Sequence, residues 1–193
     1  MSTRQKNLIG FFLLSLFCIV FTSNSFAESP SQVLYTSYNL WFEKPDSMWS
    51  INYKKGVIIP AGTKINSVKL ERNKVVFTTQ DHSNKFTINF TSKHHPGLSL
   101  EQFRDRLFTN KTFDELVRGF SKKEIESIRS GVLIPGLSKK AVLVAYGYPP
   151  EHVTGSLEMN SWTYWLNRFK NKVIHFDNSG HTVRDSGAAD ESL

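Results

Sequence analysis

The chain has 193 residues, 24 basic and 17 acidic, a formal charge of +7, and a single cysteine, Cys18. One thiol excludes an internal disulfide framework and any cysteine-rich metal site. The lysines fall in scattered pairs (Lys54-Lys55, Lys122-Lys123, Lys139-Lys140) with no DNA- or RNA-binding motif beside them, so nucleic acid is not an expected partner.

Residues 1–27 have the pattern of a secretory signal. Arg4 and Lys6 precede an apolar run from Leu8 to Phe21, and Ser25-Phe26-Ala27 supplies the small residues of a cleavage site. Cleavage after Ala27 would leave 166 residues, remove Cys18, and set 22 basic against 17 acidic residues, a charge of +5. The run is too short for a membrane anchor, and no later segment is long and apolar enough to span a bilayer. The expected location is the bacterial periplasm, with association with the outer membrane or secretion as alternatives.

Residues 28–97 are strand-like. Val33–Tyr38, Leu40–Phe42 and Met48–Tyr53 are rich in aromatic and β-branched residues. Val57 to Ile65 bends at Pro60 and Gly62, and Ser67–Leu70, Val75–Thr79 and Phe86–Phe90 follow, with Glu71–Lys74 and Asp81–Asn84 as polar turns. Short strands at this spacing predict a small barrel, and Ile59–Ile65 resembles the turn that opens the second half of SH3-like barrels.

Beyond His94-His95-Pro96-Gly97 the period becomes helical. Ser99–Gln102, Thr112–Glu115 and Ser121–Glu124 each have the form of a capping box, in which hydroxyl and N3 side chain satisfy one another's backbone amides. Residues 98–120 are therefore expected to be a helical connector. Helices from Ser121 to Gly131 and from Ser138 to Gly147 should follow, the second stopped by Gly147 and Pro149. Asn160–Leu166 and Lys172–Phe176 predict a hairpin, Thr182–Arg184 a last strand, and residues 186–193 a disordered tail.

Ile134-Pro135-Gly136-Leu137-Ser138-Lys139-Lys140-Ala141-Val142, Tyr146-Gly147-Tyr148-Pro149, Trp162-Thr163-Tyr164, Val173–Phe176 and Gly180 together resemble the SmpA/OmlA (BamE-like) domain over roughly residues 121–185. Leu137 stands where that family usually has Met, and the lipobox cysteine of its assembly-factor members is missing. The whole chain also resembles a widespread type of bacterial exported protein. The resemblance implies two helices packed on a three-stranded antiparallel sheet, and a place in the cell envelope. The expected fold class is thus α+β: a small SH3-like β-barrel domain (28–97), the helical connector (98–120) and a two-helix, three-stranded BamE-like domain (121–185).

Catalytic patterns are absent from the sequence. There is no Gly-x-Ser-x-Gly elbow, phosphate loop or dinucleotide fingerprint. His94-His95 is the only adjacent histidine pair, and adjacent residues rarely share one metal; we expect a solvated linker there. We expect no enzymatic activity, no metal and no cofactor.

Surface aromatics and cations remain. Trp165 falls on the strand face opposite Trp162 and Tyr164, and Arg168, Phe169, Lys170 and Lys172 crowd the hairpin tip. Trp41, Trp49 and Tyr53 are a second aromatic group in the β-rich part. Large apolar side chains mark interaction surfaces where they are exposed. These eight residues are the expected partner-binding set. The expected function is a non-enzymatic protein-interaction module in outer-envelope assembly or maintenance, docking an envelope protein. Binding of peptidoglycan, another anionic glycan or lipid headgroups is the alternative, and a secreted enzyme inhibitor a further one.

Overall fold

The computed structural model describes residues 33–81 and 84–184; the proposed signal segment and tail lie outside them. The chain begins with three short strands, β1 (Leu34–Thr36), β2 (Leu40–Phe42) and β3 (Met48–Trp49). Next come β4 (Val57–Ile59), β5 (Lys64–Glu71), β6 (Lys74–Thr79) and β7 (Lys85–Asn89). The helical stretch contains α1 (Leu100–Leu107), a two-residue strand β8 (Phe108–Thr109), α2 (Phe113–Leu116), α3 (Lys122–Ser130) and α4 (Lys139–Tyr146). The hairpin β9 (Ser161–Trp165) and β10 (Asn171–His175) closes the list of elements.

Six strands form one curled, half-barrel sheet in the order β3-β7-β6-β5-β1-β8. All neighbours are antiparallel except β3 and β7. β5 and β6 are joined by a tight turn in which Asn73 takes a positive φ, a conformation that a short amide side chain tolerates. A register shift between Ile65 and Ser67 helps bend β5. The inner face buries Val75, Phe77, Phe86 and Ile88 under Phe103 and Leu107 of α1 and Phe108 of β8.

This corrects the expected fold class. The first half is not a closed SH3-like barrel, because β2 and β4 leave the large sheet and pair only with each other. Their side chains explain it. Leu40 and Ile59 face the half-barrel core, while Trp41 and Ile58 on the opposite face pack into a second core. A ribbon apolar on both faces is most stable between two cores, not in a sheet with one wet side. The expected helical connector is also not purely helical, since β8 joins the large sheet beside β1.

A two-helix, three-stranded BamE-like domain is likewise not shown. The C-terminal sheet has two strands, and its expected third strand is reduced to the isolated bridge Phe176–Thr182. Of Thr182, Val183 and Arg184 only Thr182 is buried, too little apolar surface to hold a full strand. The four described helices are short, α1 covers the half-barrel core, and the second core, which α3 and α4 cover, also takes in Trp41, Ala61 and Val117 from earlier in the chain.

All described residues belong to one compact unit. Two buried asparagines stitch its parts together. The Asn39 amide donates to the Ile128 carbonyl (2.6 Å), and its oxygen accepts from the Ala61 N–H (2.8 Å). The Asn52 amide donates to the carbonyls of Asn39 (3.0 Å) and Tyr146 (3.2 Å), and its oxygen accepts from the Trp41 N–H (3.0 Å). Gly147 ends α4 at φ +81°, and a Cβ there would stand 2.5 Å from the Tyr38 ring, so glycine is required by both backbone and space.

Candidate functional site

Strand β2 carries Trp41, β3 carries Trp49 and the loop after β3 carries Tyr53; the β9–β10 hairpin carries the basic tip. A backbone bond from the Lys54 N–H to the Trp165 carbonyl (3.2 Å) holds the two segments together. They enclose an open groove of about 500 Å³ lined by Trp41, Trp49, Tyr53, Arg168 and Phe169 together with Phe42, Met48 and the polar rim. Five of the eight residues singled out in the sequence therefore meet in one place, although more than a hundred residues of chain separate the two groups.

Their exposures divide the labour. Trp41 (8% exposed) and Met48 form a buried floor. Trp49 (49%) and Phe169 (85%) stand out as walls, Phe169 being the most exposed large apolar side chain among the described residues. The Arg168 guanidinium lies 5.0 Å from the centre of the Phe169 ring. It also faces Tyr53, whose phenol is raised from its ordinary pKa by burial against the opposing pull of that cation. On the rim the Lys55 ammonium and the Glu43 carboxylate pair at 2.8 Å. Asn167 shapes the tip by accepting from the N–H groups of Phe169 (2.8 Å) and Lys170 (2.9 Å).

Beneath the groove lies Lys54. Its amine donates to the carbonyls of Asn52 (2.8 Å) and Tyr146 (2.6 Å) and sits over the rings of Trp41 (4.5 Å), Tyr146 (5.2 Å) and Tyr164 (5.4 Å). Carbonyls and aromatic faces favour a cation. Burial works against it and pushes the amine well below the ordinary lysine range. In the sequence Lys54 is one of a scattered lysine pair, and nothing local to Lys54-Lys55-Gly56 marks its amine as the enclosed one.

The chain matches no family model, no curated protein and no solved structure.

The remaining sequence candidates lie elsewhere. Lys170 is exposed at the tip and Lys172 is half-buried along β10; neither lines the groove. Trp165 is half-buried, its indole nearly parallel to the His152 ring with centroids 6.5 Å apart. Its N–H is enclosed and unbonded. That places it in a second cluster, against the histidines, and away from the groove.

That cluster corrects the reading of His94-His95 as a solvated linker. His95 is 4% exposed, and its Nδ1 lies 2.7 Å from Oε2 of Glu151. The other oxygen of Glu151 accepts from Arg106 of α1, whose guanidinium also stacks on Tyr148 (4.7 Å). Burial would raise the Glu151 pKa, but the bonds from His95 and Arg106 outweigh it and bring it down to about 2. His94 and His152 face each other, Nδ1 to Nε2 at 3.4 Å, and the His152 Nδ1 lies 3.1 Å from the His94 carbonyl. Burial and the neighbouring cationic groups lower the His94 pKa. Chemically the cluster is a clasp between segments more than fifty residues apart. Among the described residues no group of three or more His, Cys, Asp or Glu is placed to hold a metal ion.

Proposed function

We propose that the protein is a non-enzymatic interaction module of the cell envelope that docks a protein partner in the groove between Trp49 and Phe169. The observation that carries this reading is the convergence itself. Two remote segments bring exposed aromatic walls and a buried apolar floor to one concave surface with cations on its rim. Its volume lies within the range of about 300–1,000 Å³ typical of ligand pockets. Aromatic and arginine side chains in a pocket are the kind that dominate protein interfaces. The apparent secretory signal and the resemblance of residues 121–185 to an envelope domain support the location.

The test is affinity capture from envelope extract with the mature chain and with a Trp49→Ala/Tyr53→Ala variant. Lys69→Ala, on an exposed polar position of β5, serves as the control. We expect a partner retained by wild type and by Lys69→Ala and lost by the groove variant, whose circular dichroism should be unchanged. Equal capture by all three would remove the groove as the docking site.

A further inference from the structure

The polar groups around the groove are unevenly committed. Its acceptors are mostly engaged within the protein: the Glu43 carboxylate is paired with Lys55, and the Asn167 oxygen takes two backbone N–H groups. Its donors are not. Among the described residues no carboxylate pairs with Lys44 or Arg168, both on the lining, and the Arg168 guanidinium meets only the Phe169 ring and the Tyr53 phenol. A neutral sugar would bring several hydroxyl donors that need acceptors, and the groove has few to offer. A ligand that only accepts hydrogen bonds fits better.

The apolar part adds a second requirement. Trp41 and Met48 are recessed at the floor, with Trp49, Tyr53 and Phe169 rising around them. A ligand must therefore send a bulky apolar group inward while its charges stay at the rim. A flat anionic bilayer cannot reach such a floor without the groove opening.

We infer that the occupant of the groove is a peptide segment of the partner that carries a bulky apolar side chain, aromatic by preference, flanked by carboxylates. The apolar side chain stacks between Trp49 and Phe169 above Trp41. The carboxylates meet Lys44 and Arg168, with charge-assisted bonds from the guanidinium. This rests on the docking reading above and specifies its chemistry.

Fluorescence anisotropy with three labelled peptides tests it on the mature chain: Glu-Glu-Trp-Glu-Glu, Gln-Gln-Trp-Gln-Gln and Glu-Glu-Ala-Glu-Glu. The first should bind saturably and weaken as salt is raised. Loss of the indole should weaken binding about tenfold, the scale of burying part of an aromatic ring. Loss of the four carboxylates should weaken it at least as much. Arg168→Gln should weaken the acidic peptide about fivefold, the upper range for an exposed ion pair, and leave the Gln peptide unchanged. Equal affinity for the Glu and Gln peptides would overturn the inference, as would indifference to both Arg168→Gln and Trp49→Ala. Binding only to phosphatidylglycerol vesicles, with no peptide bound, would overturn it too. If the peptides fail while Trp49→Ala/Tyr53→Ala still loses the captured partner, the acidic-anchor inference falls and the docking reading stands. If capture is also indifferent, both fall.

Discussion

Single residues set the chemistry of both clusters. Glu151 joins His95 and Arg106 through its two oxygens, and its pKa of about 2 lies well under the ordinary 4.5. A depressed carboxyl contributes stability that is full above its unfolded pKa and is lost as pH falls through the folded one. The window therefore runs from about pH 4.5 down to about pH 2. Glu151→Gln should unfold at lower denaturant concentration at pH 7 and lose less stability on acidification than wild type. Chemical denaturation at pH 7 and near pH 3 measures both limbs, and parallel losses in the two proteins would count against the clasp. None of this was legible in the sequence. His95 and Glu151 are 56 residues apart, and a histidine beside Pro96-Gly97 looks like any linker until its partner is in place.

At the level of elements, local signals were readable and long-range ones were not. The boxes at Ser99 and Ser121 form with both reciprocal bonds, and Thr112 donates its N–H to Glu115 at 2.8 Å. Such caps depend on four consecutive residues, so the sequence carries them whole. Glu124 does more than its pattern announces. One oxygen accepts from Ser121, while the other accepts from the N–H (3.2 Å) and hydroxyl (2.7 Å) of Ser138, the cap of α4. Although burial opposes it, these bonds hold the Glu124 pKa down to about 2. Glu124→Ala frees two helix starts at once and should cost about 1–2 kcal/mol, the scale of losing a strong cap. Glu124→Gln should recover part of it. Thermal denaturation of the pair would show it, and an unchanged Glu124→Ala midpoint would mean that the junction is held by packing alone.

The placement of β2 and β4 was harder to read. Leu40-Trp41-Phe42 and Val57-Ile58-Ile59 are apolar at successive positions, which marks a ribbon buried on both faces. The SH3-like expectation rests instead on strand spacing and on the Ile59–Ile65 turn, neither of which says which sheet a strand joins. The alternation of Leu40 and Ile59 against Trp41 and Ile58 between two cores is a tertiary fact, visible only once α3 and α4 supply the second core. The reduction of the last strand to one bridge has the same origin: of its residues Thr182 alone is buried, its hydroxyl donating to the Ile134 carbonyl (2.7 Å) and accepting from the Leu137 N–H (2.9 Å), while the exposed Val183 donates its N–H to the His175 carbonyl (3.0 Å).

On the scale of the whole molecule, the backbone bond from Lys54 to Trp165 makes the groove a joint product of the early strands and the late hairpin. The aromatic residues stand out in the sequence as a group in the β-rich part and as a hairpin tip, but the sequence holds no sign that Trp49 and Phe169 meet. The same blindness put Trp165 forward as a docking residue, when it lies against His152. The docking claim is tested most directly by site-specific photo-crosslinking in the native host, with the crosslinker at Ser47 on the groove lining or at Lys69 on the exposed face of β5. We expect one discrete protein adduct from Ser47, abolished by Trp49→Ala, and none from Lys69. Adducts of equal yield from both positions, or none from Ser47 while Lys69 crosslinks, would contradict it.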